Sequence, residues 1–320
     1  MAALLVSCSG KEPVYWYDAS LSDESATGNV PYYPDKPSDP SDVNPSEGYA
    51  PEGYTLVWAD EFDSTVKLYQ NWIFEHGGTG WGNDEAQYYC EGGVYAPTGE
   101  KTAEISDGTL KITARKITPS ASSDDKSYIS ARMSTKSTWK YGYIEMKAKL
   151  PADKGCWSAF WMLPDPEVGN SYVRDPSMTG GELDILEYVP GDDPGNVYFS
   201  AHSYNATPEA GKTSGYTDPS DNKFYSYYGK TKVSKPGDWH WYSILWTHEY
   251  VKAFCDGVEY YYGPNPDPSV DMVANPNWGF DKPFYLKLNL AMGGSWGGAI
   301  DPALTSATYE IDYVRVYQKK

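Results

Sequence analysis

From Tyr54 onward the chain is a succession of short runs rich in Val, Ile, Thr, Tyr, Phe and Trp, each closed by Gly, Pro, Asn or Asp. "YTLVWADEF", "GTLKITARK", "YGYIEMKAKL", "GELDILEYV", "NVYFSAHSY", "HWYSILWT", "YVKAFCDGVEYYY", "FYLKLNLAM" and "YEIDYVRVYQ" follow one another in this way. Branched and aromatic side chains suit a pleated, half-buried surface, and turn residues at short intervals leave little room for crossover helices. Such spacing specifies a sandwich or barrel rather than βαβ units. Asp-Gly in "DGTLKI" and in "CDGVEYYY" marks tight hairpins. Both ends of this region read as strands able to pair near each other. Aromatic residues make up 16 % of the 320 residues, well spread, which supplies the bulk for one large all-β core.

The first 53 residues read differently. Residues 9–53, including "PYYPDKPSDPSDVNPSEGYAPEG", carry too little apolar side chain to offset the entropy of ordering them, and read as a disordered, proline-stiffened spacer. Residues 1–8 end in "LLVSC", which resembles the lipobox of bacterial lipoproteins and makes Cys8 a lipidation candidate. The expected organisation is therefore 1–8 signal remnant, 9–53 linker and 54–320 folded domain. Cys90, Cys156 and Cys255 remain, an odd set without CxxC spacing, so at most one disulfide can form among them. No apolar stretch is long enough to span a bilayer. The formal charge of -18 excludes a nucleic-acid partner, because neutralising phosphates takes clustered Lys and Arg.

Against this background "GELDILEYVPG" (181–191) is anomalous, with Glu182, Asp184 and Glu187 inside a run that should bury side chains. On a strand Glu182 and Asp184 share one face and Leu183 and Ile185 the other, while Glu187 breaks the parity. A β-bulge after Asp184 would return Glu187 to the polar face, with Leu183 and one of Ile185 or Leu186 left to anchor the strand. Two carboxyls with pKa values pushed apart can act as nucleophile and proton donor across a glycosidic bond, and a third between them tunes the split. Acids placed for solubility or for calcium would give the same triplet.

The flanking motifs decide between these readings. "WADEF" (58–62), "GWGNDEAQYY" (80–89), "DGTLKITAR" (107–115), "YISARMST" (128–135), "YGYIEMKAKLP" (141–151), "GCWSAFWML" (155–163), "GELDILEYV" (181–189), "WGFDKPFYLKLNLAMGGSWGG" (278–298) and "IDYVRVYQ" (311–318) occur in this order. Together they resemble family sixteen of the glycoside hydrolases, in particular its laminarinase-like endo-β-glucanases. The resemblance implies a concanavalin-like β-jelly roll, two curved antiparallel sheets with a substrate cleft across the concave face. It implies that Glu182 is the nucleophile, Asp184 its assistant and Glu187 the acid/base, with no catalytic cofactor. It also implies a structural calcium held by Glu61, Asp312 and the carbonyl of Gly108. "GCWSAFWML" and "YVPGDDPGN" depart from the family pattern and leave subsite details open.

Neutral sugars need aromatic platforms with hydrogen-bonding groups beside them. Trp157, Trp161 and Trp296 are the candidates, with a core role for one of the first two. Arg132, Trp81, Asn83 and His202 match family positions near the cleft, Arg132 as a donor to sugar hydroxyls or a carboxylate and His202 near the acid/base. The expected activity is retaining endo-hydrolysis of β-1,3 or mixed β-1,3/1,4 glucan by a monomer, tethered to the bacterial envelope by lipid or secreted. Galactan cleavage of the agarase or porphyranase type, transglycosylation, and glycan binding without catalysis remain as alternatives.

Overall fold

A computed structural model describes residues 47–164, 180–204, 224–265, 268–269 and 278–320, with a two-residue strand at Val14–Tyr15. Residues 1–8, with Cys8, and most of the expected linker lie outside the described residues.

Two large sheets carry the fold. The first runs in the order Val14–Tyr15, Trp72–His76, Arg132–Thr135, Phe284–Met292, Cys156–Pro164, Gly180–Tyr188, Asn196–Tyr204, Phe224–Lys232. The second runs Val258–Pro264, Tyr250–Cys255, His240–Trp246, Gly142–Lys149, Ser306–Lys319, Thr109–Lys116, Tyr128–Ser130, Gln87–Tyr89, with Tyr54–Asp60 and Ala103–Ser106 paired at its side. Alternation along the strands builds one core between them. Phe284, Leu286, Leu288 and Leu290 of the first sheet join Ile144, Met146, Ile311, Val314 and Val316 of the second in a single buried cluster. The same parity sends Tyr285, Lys287, Asn289 and Ala291 to the opposite face of the first sheet.

The turn chemistry acts as its residues demand. Asp107 and Gly108, with φ of 56° and 74°, join Ala103–Ser106 to Thr109–Lys116, and Asp256 and Gly257, with φ of 51° and 74°, join Tyr250–Cys255 to Val258–Pro264. Positive φ at both central positions is the condition for a primed hairpin turn. The two ends of the domain pair as strands, Tyr54 opposite Lys319.

The folded region begins before Tyr54. The Tyr49 amide donates to Glu145 Oε2 at 2.9 Å, and Arg315 Nη1 donates to the Glu47 carbonyl at 2.7 Å. Lys147 pairs with the Glu47 carboxylate, and the Tyr49 ring meets Trp241 edge-on at 5.6 Å. Gly48, at φ +107°, lies where a Cβ would come within 2.2 Å of the Glu145 carboxylate. Composition marked this stretch as linker because its few anchors are backbone groups, one carboxylate and one ring, which hydropathy does not register.

Candidate active site

The strand Gly180–Tyr188 carries the expected bulge. On one side Asp184 pairs with Trp161 while Leu186 pairs with Phe160, leaving Ile185 without a partner. On the other side Asp184 pairs with Ser200 and Glu187 with Tyr198. The extra residue resets the parity, so Glu182, Asp184 and Glu187 share the face turned away from the core. Both Ile185 and Leu186 enter the core with Leu183, where the sequence reading allowed only one of them. A bulge compresses two residues against one partner, which lets both side chains point inward. Three fully buried aliphatic side chains stabilise by roughly 1.5–3 kcal/mol each.

Two cross-strand rows place the rest. One runs Ser134, Lys287, Trp161, Asp184, Ser200, Tyr228, and the other Glu75, Arg132, Asn289, Ala159, Glu187, Tyr198, Lys230. Glu187 accepts from Trp157 Nε1 at 3.1 Å and from Ser200 Oγ at 3.3 Å. Burial, then the negative charge of Asp184, push its carboxyl up to about 8, with Glu182 adding in the same sense; His202 and the Trp157 N–H act against them. Glu187 is therefore protonated at neutral pH. Asp184, 4 % exposed, stands 3.3 Å from His202 Nε2. Glu182, Asp184 and His202 each offer a ligand atom within 4.8 Å of the others, the one such group among the described residues. The group coincides with the carboxylate strand and its neighbour across the sheet, and among the described residues no cysteine or second histidine of the kind zinc prefers completes it. His202 lies beside the central Asp184, one strand over from Glu182, and close enough to Glu187 for its charge to act on that carboxyl.

The aromatic candidates divide. Trp157 and Trp296 are partly open and meet edge-on at 5.4 Å, and Tyr198 meets Trp296 at 5.2 Å. Trp296 Nε1 donates to Asp192 Oδ2 at 3.0 Å, while Asp193 accepts from Tyr198 OH at 3.1 Å and Lys230 Nζ at 2.9 Å. An aromatic wall thus stands at the Glu187 end of the triplet. Trp161 is buried, but on the face it shares with Asp184 and Lys287 rather than in the core between the sheets; its indole donates to Asn289 Oδ1 at 2.8 Å, so neither member of the pair takes the core role expected for one of them.

Arg132 is the buried ion-pair partner of a carboxylate, one of the two roles expected for it. Its Nε lies 2.5 Å from Glu75 Oε2, and its guanidinium sits 4.5 Å from the Trp81 ring centroid and 4.9 Å from that of Trp161. Lys287, fully buried, pairs with the same Glu75 and donates to Ser134 Oγ at 2.9 Å. Burial alone would raise the Glu75 carboxyl, but Arg132 and Lys287 outweigh it and hold it well below the usual carboxylate range. Trp81, at φ +52°, is buried and donates to the Gly77 carbonyl at 3.1 Å. Asn83 is half-buried; its side chain reaches Glu85 at 3.5 Å and its carbonyl accepts from the Ser295 amide at 2.7 Å. "GWGNDE" and "GGSWGG" are thereby brought together although more than 200 residues apart.

Sequence reasoning missed Glu75, Lys287, Ser200, Tyr198, Asp192 and Asp193. Lys287 and Glu75 had a signal, a lone charge in an otherwise apolar strand run, whereas the loop acids had none. At the expected calcium position Glu61 accepts from Arg315 Nε and Nη2, both at 2.8 Å, and Asp312 Oδ2 stands 2.7 Å from Lys147 Nζ. Gly108 occupies the hairpin turn before Thr109–Lys116, the strand that pairs with Ser306–Lys319 up to Ile311 opposite Leu110. The donors are the hard oxygens calcium takes, and an ion there would share both carboxylates with these cations. Cys90, Cys156 and Cys255 are buried free thiols.

Comparison with known proteins bears on the same fold. A Rhodothermus marinus beta-glucanase is 37 % identical over 83 % of this chain and 85 % of its own length. The laminarinase catalytic domain of Thermotoga maritima MSB8 superposes with a TM-score of 0.65 at 33 % identity, covering 84 % of this chain and all of that one. The non-specific endo-beta-1,3(4)-glucanase SCLam gives 0.66 at 31 % identity, over 85 % of this chain and 93 % of its own. The two sheets are thus the β-jelly roll of these enzymes. The family model for glycosyl hydrolases family 16 matches residues 91–315, a span that includes the whole carboxylate strand, and the chain belongs to that family.

Proposed function

We propose that the protein is a retaining endo-β-glucanase that hydrolyses internal β-1,3 bonds, alone or within mixed β-1,3/1,4 glucan, of polysaccharides such as laminarin. The observation that carries this reading is the bulged strand, which sets Glu182 and Glu187 on one face with Asp184 between them. Glu187, protonated and desolvated, donates to the glycosidic oxygen as Glu182 attacks the anomeric carbon; the C–O bond breaks and a glycosyl-Glu182 ester forms. Glu187, now a carboxylate, takes a proton from water, which attacks the ester and frees Glu182. Asp184 supplies the negative charge that keeps the proton on Glu187 before the first step, and His202 orients Asp184. No step requires a cofactor.

Support for β-1,3 recognition comes from the similarity to laminarinases and from an aromatic wall whose rings are set at an angle. Trp157 and Trp296 stand at 75° to each other, which suits sugars presented at changing angles better than a flat β-1,4 ribbon. Reducing ends released from laminarin, mixed-linkage glucan, agarose, xyloglucan and cellulose test the reading. Cleavage of the first two with little activity on the others is expected, and depolymerisation of a red-algal galactan instead would remove the substrate assignment.

The reading extends to place and stability. Lipid on Cys8 would tether the enzyme to the bacterial envelope, and Cys8→Ala should then move it from membrane to soluble fractions; unchanged partition removes the idea. A structural calcium on Glu61, Asp312 and the Gly108 carbonyl should raise the melting temperature in a chelator-reversible manner, and metal analysis of purified protein checks its presence.

A further inference from the structure

The nucleophile and acid of a retaining glycosidase approach the scissile bond from opposite sides, so the sugar chain must pass between them. Here Glu182 and Glu187 are spaced along one strand, and the line joining them follows that strand. The glucan therefore crosses the strands of the sheet. Its path follows the cross-strand rows, and the row through Asp184 continues to Ser200 and then Tyr228 on the strand Phe224–Lys232.

Tyr228 is 53 % exposed. Among the described residues it is the one exposed large hydrophobic side chain of this sheet, the others with such exposure being Tyr49, Val57, Val66, Val258 and Tyr262. Its ring meets that of His202 at 5.8 Å and 76°, so it packs beside the residue next to Asp184 while about half of the side chain stays open. Gly229 next to it lets the strand approach closely, since a Cβ there would lie 2.7 Å from Tyr261. Lys230 and Asp193, ion-paired at 2.9 Å, follow on the same face and offer a donor and an acceptor to hydroxyls. Two strand spacings separate Tyr228 from the catalytic strand, about 9–10 Å.

We propose that Tyr228 is the aromatic platform of a distal subsite, binding the C–H face of a neutral glucose unit beyond those next to the cleaved bond. The inference rests on the glucanase reading above and adds a binding position to it. A distal platform acts only on substrates long enough to reach it, and this separates it from residues that act on every substrate. An exposed ring carries no folding role that would produce the same dependence.

The test is a chain-length series of laminari-oligosaccharides with wild type, Tyr228→Ala and Tyr228→Phe. Tyr228→Ala should lower the ratio of kcat/KM for the hexaose to that for the triose by roughly tenfold, and Tyr228→Phe, which keeps the ring, should lower it by less than about threefold. In a Glu182→Gln background, calorimetric binding of the hexaose should weaken by a similar factor on Tyr228→Ala. A loss shared equally by short and long substrates, or no loss, overturns the subsite while leaving the glucanase function intact. Wild-type protein inert on every laminari-oligosaccharide overturns the function and this subsite together.

Discussion

Asp184→Asn is the substitution that most sharply probes how the three carboxylates divide their work. It removes one negative charge and keeps the shape of the side chain. Asp184 and Glu187 face the same side about two strand residues apart, roughly 6–7 Å. At an effective dielectric near 20, a unit charge at that spacing is worth roughly 2.5 kcal/mol, or nearly two pKa units. His202 works on Glu187 in the opposite sense and loses its partner in the variant, so the net change is about one to two units. The sign follows from the charge: with Asp184 neutral, the Glu187 carboxylate is less repelled, and the pKa falls from about 8. The protonated fraction at pH 7 then drops from about nine-tenths to about a quarter for a shift of about one and a half units. The assay is the pH dependence of kcat/KM on laminarin, with circular dichroism to verify folding. The alkaline limb should move down by one to two units; a limb that stays in place or moves up refutes the assignment of Asp184 as the charge that holds the proton.

Glu182→Gln should abolish turnover without unfolding the domain, and activity within tenfold of wild type in a folded variant removes it as nucleophile. Trp296→Ala should raise KM by an amount equivalent to roughly 1–3 kcal/mol, with a smaller effect on kcat. Glu75→Gln leaves Arg132 and Lys287 buried without their shared counter-ion, so denaturant unfolding should report a loss of about 3–5 kcal/mol. The Glu75 carboxyl is depressed in the folded state, so its contribution is present above the unfolded pKa and lost as pH falls through the folded one. The gap between wild type and Glu75→Gln should therefore close in strong acid, and a constant gap would contradict the ion pair.

How far the sequence revealed this site depended on the range over which each feature acts. The bulge was legible because a period of two is rigid: three acids at spacing two and three cannot share a face without one extra residue. The Asp-Gly hairpins were legible because their φ requirements are local. Where Ile185 and Leu186 would both point was not, since the geometry of the bulge against Phe160 and Trp161 decides it. Arg132 read as a donor to sugar hydroxyls or to a carboxylate, and the carboxylate could not be named because Glu75 and the second cation on it, Lys287, lie 57 and 155 positions away in the chain. Asp192 and Asp193 looked like ordinary turn residues; their roles exist only once Trp296 and Lys230 arrive from distant segments. The packed stretch from Glu47 was hidden because backbone groups, one carboxylate and a single tyrosine ring anchor it.

Time-resolved proton NMR of laminarin during hydrolysis tests the central claim most directly, because it reads bond cleavage and stereochemistry in one spectrum. Two carboxyls set on one face for double displacement predict that the β-anomer of the new reducing end appears first and mutarotates later to the α-form. First appearance of the α-anomer, or no new anomeric signal at all, would contradict the account.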